Sequence, residues 1–431
     1  MLGRNYARTG VTDLINVSRP SITAMMFHGL RGTRASDHLD MVRGLAAVAV
    51  LWYHLRYRFF LDFADLAQTG PLAVGWYALT AFGHDAVMVF FVVSGFLVGS
   101  AAIRDCRSGR WSWINYLTAR GVRLYVVLIP GLLLTMFWDR LGLRFFGANA
   151  VYTGTPQWYR HDFFNVAQQY GIDTLIGNVA FLQGILYPTF GSNNALWSLA
   201  FEFWYYVAFA MFAVGVFAAG SRYARLLWLL SGIAVLYAVG GAIAAYFPIW
   251  LLGIGVGMMP SCAAITRSPR PWAVCAGGLF LSWLLLSHTT AVKSALGNSL
   301  WAEDSCTGVL FATWLYMFLH DRRAADKGTY GIVARRLANS SYTLYVVHLP
   351  MLIFLRAWLV RGDPWTPIPE HLLISCGIIG LTLAFAIAVA SVTERHTGAI
   401  RNALRIRASG IPRRTDTPAH CVDAPPTHAI G

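Results

Sequence analysis

A chain of 431 residues that is 56% hydrophobic and only 13% charged, with a mean hydropathy of +0.51 and 16 Trp, carries more apolar surface than a soluble domain can bury. This composition excludes an ordinary cytosolic enzyme and implies an all-α, polytopic membrane helical bundle. A formal net charge of +14 raises nucleic acid as a partner, but a basic excess in a membrane protein gathers in cytoplasmic loops, so its distribution decides.

Apolar runs predict about ten transmembrane helices, near 43–63, 84–103, 122–139, 195–219, 224–245, 247–265, 271–288, 304–320, 341–360 and 370–394. Ten crossings put both termini and the alternate loops on one side, and that side holds 25 of the 34 Lys and Arg residues. The asymmetry makes the N- and C-termini cytoplasmic and explains the basic charge with no nucleic acid. The apolar piece Thr174 to Leu186 falls short of the ~20 residues a crossing needs and reads as an interfacial or re-entrant segment. Residues 1–38 lack the apolar core of a signal peptide and are Arg-, Ser- and Thr-rich, which predicts a disordered cytoplasmic leader, with Met25, Met26 and Met41 as alternative starts. Residues 39–400 form one transmembrane domain, and the Arg/Pro/Thr-rich residues 401–431 a disordered cytoplasmic tail. The six Cys are scattered without CxxC or paired Cys/His spacing, so neither a disulfide framework nor a metal site is indicated.

The first span, LDMVRGLAAVAVLWYHLRYRFF (39–60), carries Arg43 and His54. Eleven residues of helix leave them about 20° apart around the axis and ~16 Å apart along it. Ionisable groups at membrane depth are costly and mark functional candidates, although an anchoring arginine and a histidine satisfied by a neighbouring helix fit the same spacing. In the second span the small residues Ser94, Gly95, Gly99 and Ser100 permit close helix contact. TARGVRLY places Arg120 and Arg123 three apart on one helical face, as a topology signal or as a phosphate clamp, since guanidinium matches phosphate oxygens.

The outer-face segment 140–194 is rich in sugar-compatible groups: Asn149, Gln157, Trp158, Tyr159, Arg160, His161, Asp162, Gln168, Gln169, Asn193 and Asn194. Long connections of this content bind ligands or cover sites. LWSLAFEFWYYVAF then sets Glu202 two turns inside a span, where it needs a cation or a wet cavity. NSSYTLYVVHLP puts Tyr345 and His348 on one face of the ninth span. No internal repeat or matched pair of broken helices supports a secondary transporter.

LDMVRGLAAVAVLWYH, VFFVVSGFLVGS, TARGVRLY, ALWSLAFEFWYY, SYTLYVVHLP and TERH, in this order over about residues 39–400, together resemble the motifs of the membrane-bound acyltransferase 3 family. The resemblance implies acylation of extracytoplasmic saccharides or lipids by a multi-pass protein of the bacterial inner membrane. One departure is Met88, where the family often has Asp before Phe-Phe; His84-Asp85 lies about one turn earlier.

With the resemblance, the expected partners are the lipid bilayer, acyl-CoA (acetyl-CoA by default, succinyl as the variant) as co-substrate, and a saccharide or glycolipid acceptor. No bound cofactor and no metal are expected. Arg120 and Arg123, with Arg43, would hold the donor phosphates. His54 would act as general base or as nucleophile. Glu202 would orient His54 or balance an arginine, Tyr345 and His348 would donate to the oxyanion, and Ser94 would support them. A proton-coupled transporter or flippase, with His54, Glu202 and His348 as a relay, is the alternative from another class, and a non-catalytic scaffold is a third.

Overall fold

A computed structural model describes residues 26, 28–154, 165–360 and 363–409, and among them every regular element is a helix. Helix α1 (Arg34–Phe59) starts at Thr33, whose side chain accepts from Ser36 N. This start lies five residues ahead of the expected domain boundary at 39, for a non-local reason. Arg34 N donates to Arg323 O (2.8 Å), Ala35 N to Asp321 O (3.0 Å), and Ala325 N returns to Gly32 O (2.9 Å), so the end of the expected leader is held against a distant loop. Residues 1–25 of that leader lie outside the described residues.

Helix α2 (Pro71–Leu79) precedes α3 (Gly83–Ser94), which passes through a π-turn at Gly95–Gly99 into α4 (Ser100–Arg107). The long α5 (Trp113–Phe146) is followed by the short α6 (Ala150–Thr153) and α7 (Ile172–Val179). Eight residues of helix reach only ~12 Å, so α7 is too short to cross a bilayer. Gln157, Trp158, Tyr159, Arg160, His161 and Asp162 lie outside the described residues. Asn193, read from sequence as a sugar contact, is wholly buried. Its Nδ2 donates to Thr135 Oγ1 (3.0 Å) and Val346 O (2.9 Å), while Asp139 accepts from Ser192 N (2.8 Å), so this connection is pinned to the helices.

The chain continues through α8 (Trp197–Phe217), α9 (Arg222–Ala238), α10 (Gly241–Met258), α11 (Ala263–Arg267), α12 (Pro269–Ser287), α13 (Thr290–Ala295) and α14 (Leu300–Phe318). It closes with α15 (Thr329–Leu359), α16 (Pro369–Val392) and α17 (Thr397–Ser409). Helix α17 carries regular structure past residue 401, where the tail was expected to begin; residues from 410 on lie outside the description.

Seven helical stretches among the described residues are long and apolar enough to cross a membrane: Pro71–Arg107, Trp113–Phe146, Asn194–Phe217, Gly241–Met258, Pro269–Ser287, Thr329–Leu359 and Pro369–Leu404. The remaining three predicted spans coincide with α1, α9 and α14, of which α9 has 17 residues, α1 carries several charged side chains, and α14 opens with the adjacent Glu303 and Asp304. Helix α15 and the stretch containing α3 are the most enclosed, each with 78% of its apolar window buried.

Glycines set how close these helices come. A Cβ on Gly44 of α1 would stand 2.4 Å from Leu337 Cβ of α15, and one on Gly253 of α10 would stand 1.9 Å from Val92 O of α3. Small residues at such crossings let backbones meet without a clash. Gly253→Val therefore lowers the thermal stability of the detergent-purified protein by several degrees or aggregates it, whereas Gly255→Val, whose Cβ would meet nothing within 4 Å, leaves the melting temperature within about a degree of wild type.

Candidate active site

Between α1, α3 with its π-turn, α5, α8 and α15 lies a cavity of about 720 Å³, counted to its open mouth. Arg43, Arg120 and Arg123 line it together with Glu202, Ser94, Tyr206 and Tyr342, while Val87, Phe90, Phe91 and Leu199 supply apolar wall. The i, i+3 spacing on α5 is what turns Arg120 and Arg123 to the same side. Arg43 has Asp40 as its nearest carboxylate, at 3.5 Å. The Arg120 guanidinium stands over the rings of Tyr116 (5.9 Å) and Tyr206 (6.0 Å), with its Nε lacking a hydrogen-bond partner, and Arg123 stands over Tyr342 at 6.0 Å.

Glu202 is held from two sides. Ser94 Oγ donates to its Oε1 at 2.9 Å, Tyr206 OH donates to the same oxygen, and Trp250 Nε1 donates to Ser94 Oγ at 3.2 Å. Glu394, whose Oε2 accepts from Thr343 Oγ1 at 3.0 Å, lies behind the cavity within electrostatic reach of Arg43 and Arg123. Three guanidiniums and one carboxylate, Glu202, line the cavity itself, while Asp40 and Glu394 act on the arginines from outside it, so the lining suits an anionic ligand.

His54 does not line this cavity; it connects to the cavity wall through His348 and Tyr345. Its Nδ1 is 2.9 Å from His348 Nε2, and His348 Nδ1 is 3.0 Å from Leu344 O. The two rings stack tilted at 5.0 Å, and Tyr345, a cavity wall residue, is 6.2 Å from His348 between ring centres. The hydrogen-bond network assigns the protons, because a carbonyl can only accept: His348 carries its proton on Nδ1 and offers the lone pair of Nε2. His54 must then donate from Nδ1, which leaves its own Nε2 as an unprotonated base. His348 is 1% exposed, whereas His54 keeps part of its surface accessible. His348 is thus the buried member of the pair and His54 the half-buried one.

Of the residues singled out from sequence, Arg43, Arg120, Arg123, Glu202, Ser94 and Tyr345 share the cavity, and His54 and His348 adjoin it through Tyr345. Glu202 contacts Ser94 and Tyr206 rather than His54, and His348 is engaged with His54.

Residues 37–390 match the model of the acyltransferase 3 family, described as an acyltransferase domain. The chain belongs to the acyltransferase 3 family. It is also similar to a protein named O-acetyl transferase from Shigella phage Sf6, with 26% identity over 172 residues. That alignment spans 40% of this chain and 44% of the phage protein. No solved structure matches.

In this acyltransferase 3 member Met88 is fully buried in α3, and His84 and Asp85 serve elsewhere. His84 Nε2 meets Asp304 Oδ2 at 3.0 Å, and Asp85 accepts from Thr307 Oγ1 at 2.9 Å with His288 Nε2 at 3.3 Å, which ties α3 to α14 and to the end of α12. Sequence reasoning missed Ser198, Tyr206 and Tyr342. Ser198, Glu202 and Tyr206 recur at i, i+4 and i+8, so one face of α8 already carried the signal. Ser198 Oγ lies 2.6 Å from Tyr345 OH, forming a hydroxyl pair on the cavity wall.

The network around Glu202 gives a stability test. Glu202→Gln keeps an acceptor for Ser94 and Tyr206 and should hold the melting temperature close to wild type. Glu202→Leu removes the shared acceptor; Ser94 Oγ and Tyr206 OH, 3.1 Å apart, can then pair with each other, so one hydroxyl proton is left without an acceptor, at about 1–3 kcal/mol, and the melting temperature should fall in the same assay.

Proposed function

We propose that this protein is an integral membrane O-acyltransferase that moves an acyl group, acetyl in the first instance, from acyl-CoA to a hydroxyl of a saccharide or glycolipid arriving from the opposite face. The observation that carries this reading is the arginine-lined cavity beside an imidazole with a fixed free Nε2. Family membership and the name of the phage relative support acyl transfer over transport. The charge distribution supports ten crossings with both termini cytoplasmic, and the family membership supports placing them in a bacterial inner membrane.

The donor's phosphates take Arg43, Arg120 and Arg123 as counter-charges, and its acyl-bearing arm runs along Phe90 and Leu199 toward Tyr345. The acceptor hydroxyl gives its proton to His54 Nε2 while its oxygen attacks the thioester carbonyl. The Ser198 and Tyr345 hydroxyls donate to the oxyanion of the tetrahedral intermediate. Collapse breaks the C–S bond, and the departing thiolate takes the proton back from His54, which leaves ester, CoA and neutral imidazole. His348 keeps Nε2 of His54 free throughout. An acyl-imidazole route would begin from the same lone pair and would leave a covalent adduct on His54 under rapid quench.

His54→Ala should reduce acyl transfer by at least about 10²-fold with normal expression and membrane insertion; product at wild-type levels would refute the assignment. His348→Gln retains an acceptor for His54 Nδ1–H and should keep more kcat than His348→Leu, with the donor KM unchanged in both. Arg120→Ala and Arg123→Ala should each raise the donor KM roughly 10-fold or more through loss of a charge-assisted contact, as read in initial-rate assays with labelled acetyl-CoA.

A further inference from the structure

Helix α1 carries a second cation, Arg58, on the stripe shared by Arg43 and the imidazole of His54. Arg58 follows His54 by four residues, about 40° around the helix and ~6 Å further along it, at the end remote from Arg43. Its side chain is buried at 6% exposure, its Nε has no hydrogen-bond partner, and its guanidinium stands 5.3 Å over the Tyr57 ring. Among the described residues no carboxylate forms an ion pair with it. Its charge is felt at His54. Neighbouring Arg56 also has an unpartnered Nε and lies over the rings of Tyr53 (5.4 Å) and Tyr77 (5.2 Å), but it has the Asp62 carboxylate within electrostatic reach.

Arg356 of α15 adds to the positive charge here. It is 3% exposed, and it donates to Arg58 O (2.9 Å) and Val360 O (2.7 Å). The far end of the α1–α15 seam therefore concentrates buried guanidinium, and among the described residues no carboxylate pairs with Arg58 to offset its desolvation. Reaching out to lipid headgroups does not relieve the cost, because a side chain this enclosed is not snorkelling.

The geometry points to an oxyanion subsite at Arg58, so that the acceptor is an acidic saccharide whose carboxylate or phosphate lies about one helical turn from the hydroxyl presented to His54. This deepens the acyl-transfer proposal and rests on it. A guanidinium fork is the group that recognises either oxyanion, and its position beyond His54 selects for register as well as for charge.

Diethyl pyrocarbonate modification of His54 in the purified full-length protein, followed by peptide mass spectrometry, tests the subsite with simple sugar anions in place of the acceptor. Glucuronate and glucose 6-phosphate, as carboxylate and phosphate probes, should slow carbethoxylation of His54, whereas glucose at equal concentration should not. The more effective of the two names the source of the anion. In Arg58→Gln, half-protection should require roughly tenfold more of either anion, while protection by acetyl-CoA stays as in wild type. Equal protection by glucose and glucuronate, no protection by either anion, or anion protection unchanged in Arg58→Gln would each overturn the subsite. The comparison of wild-type protein with neutral and acidic sugars decides even if the variant fails to fold. Failure of acetyl-CoA to protect wild-type His54 would count against the acyl-transfer proposal instead.

Discussion

A neutral imidazole offers a lone pair at one ring nitrogen only when the other carries the proton, and the rest of the site depends on how that condition is met at His54. The carbonyl of Leu344 fixes the proton of His348 on Nδ1, and the acceptor thus created at Nε2 fixes the proton of His54 on its own Nδ1. The Leu344 carbonyl also serves as the helical acceptor four residues before His348, and its second lone pair takes the ring N–H within an enclosed helix. Burial and function are therefore linked: the same packing of α1 along α15 that excludes water from His348 leaves His54 the reactive member.

The seam between α1 and α15 is also where charge is least compensated. Buried guanidinium is tolerable when each charge has a carboxylate, a carbonyl or an aromatic face, and the protein supplies these unevenly. Asp40, Glu202 and Glu394 act on the cavity cations, Tyr116, Tyr206 and Tyr342 supply ring faces, and only one of those carboxylates, Glu202, is in the cavity lining with the three guanidiniums. That imbalance in the lining costs stability in the empty protein and returns it when an anion binds, the ordinary trade between stability and function at a binding site. The close crossings at Gly44 and Gly253 keep these polar groups aligned, since a helix displaced by one side-chain layer would separate Arg43 from α5 and His54 from α15.

Much of this was legible in the sequence because helical periodicity is strict. The alignment of Arg43 with His54, the shared face of Arg120 and Arg123, and the positions of the seven helical stretches apolar enough to cross a membrane follow from spacing and hydropathy. The partnership of His54 with His348 joins residues 294 apart, and no local pattern reports it. The same holds for the pairing of 32–35 with 321–325, which ordered the end of the expected leader, and for Asn193, a polar residue whose burial depended on acceptors on α5 and α15. Glu202 looked available to His54 because both are buried and ionisable, but the nearer hydroxyls of Ser94 and Tyr206 claim it.

The most direct measurement is solid-state NMR of the protein labelled with ¹⁵N-histidine in lipid bilayers, with the His54 and His348 signals assigned by single substitution. The account predicts that both rings are protonated at Nδ1 and bare at Nε2, with a through-hydrogen-bond correlation between His54 Nδ1 and His348 Nε2. A His54 ring protonated at Nε2 would contradict it.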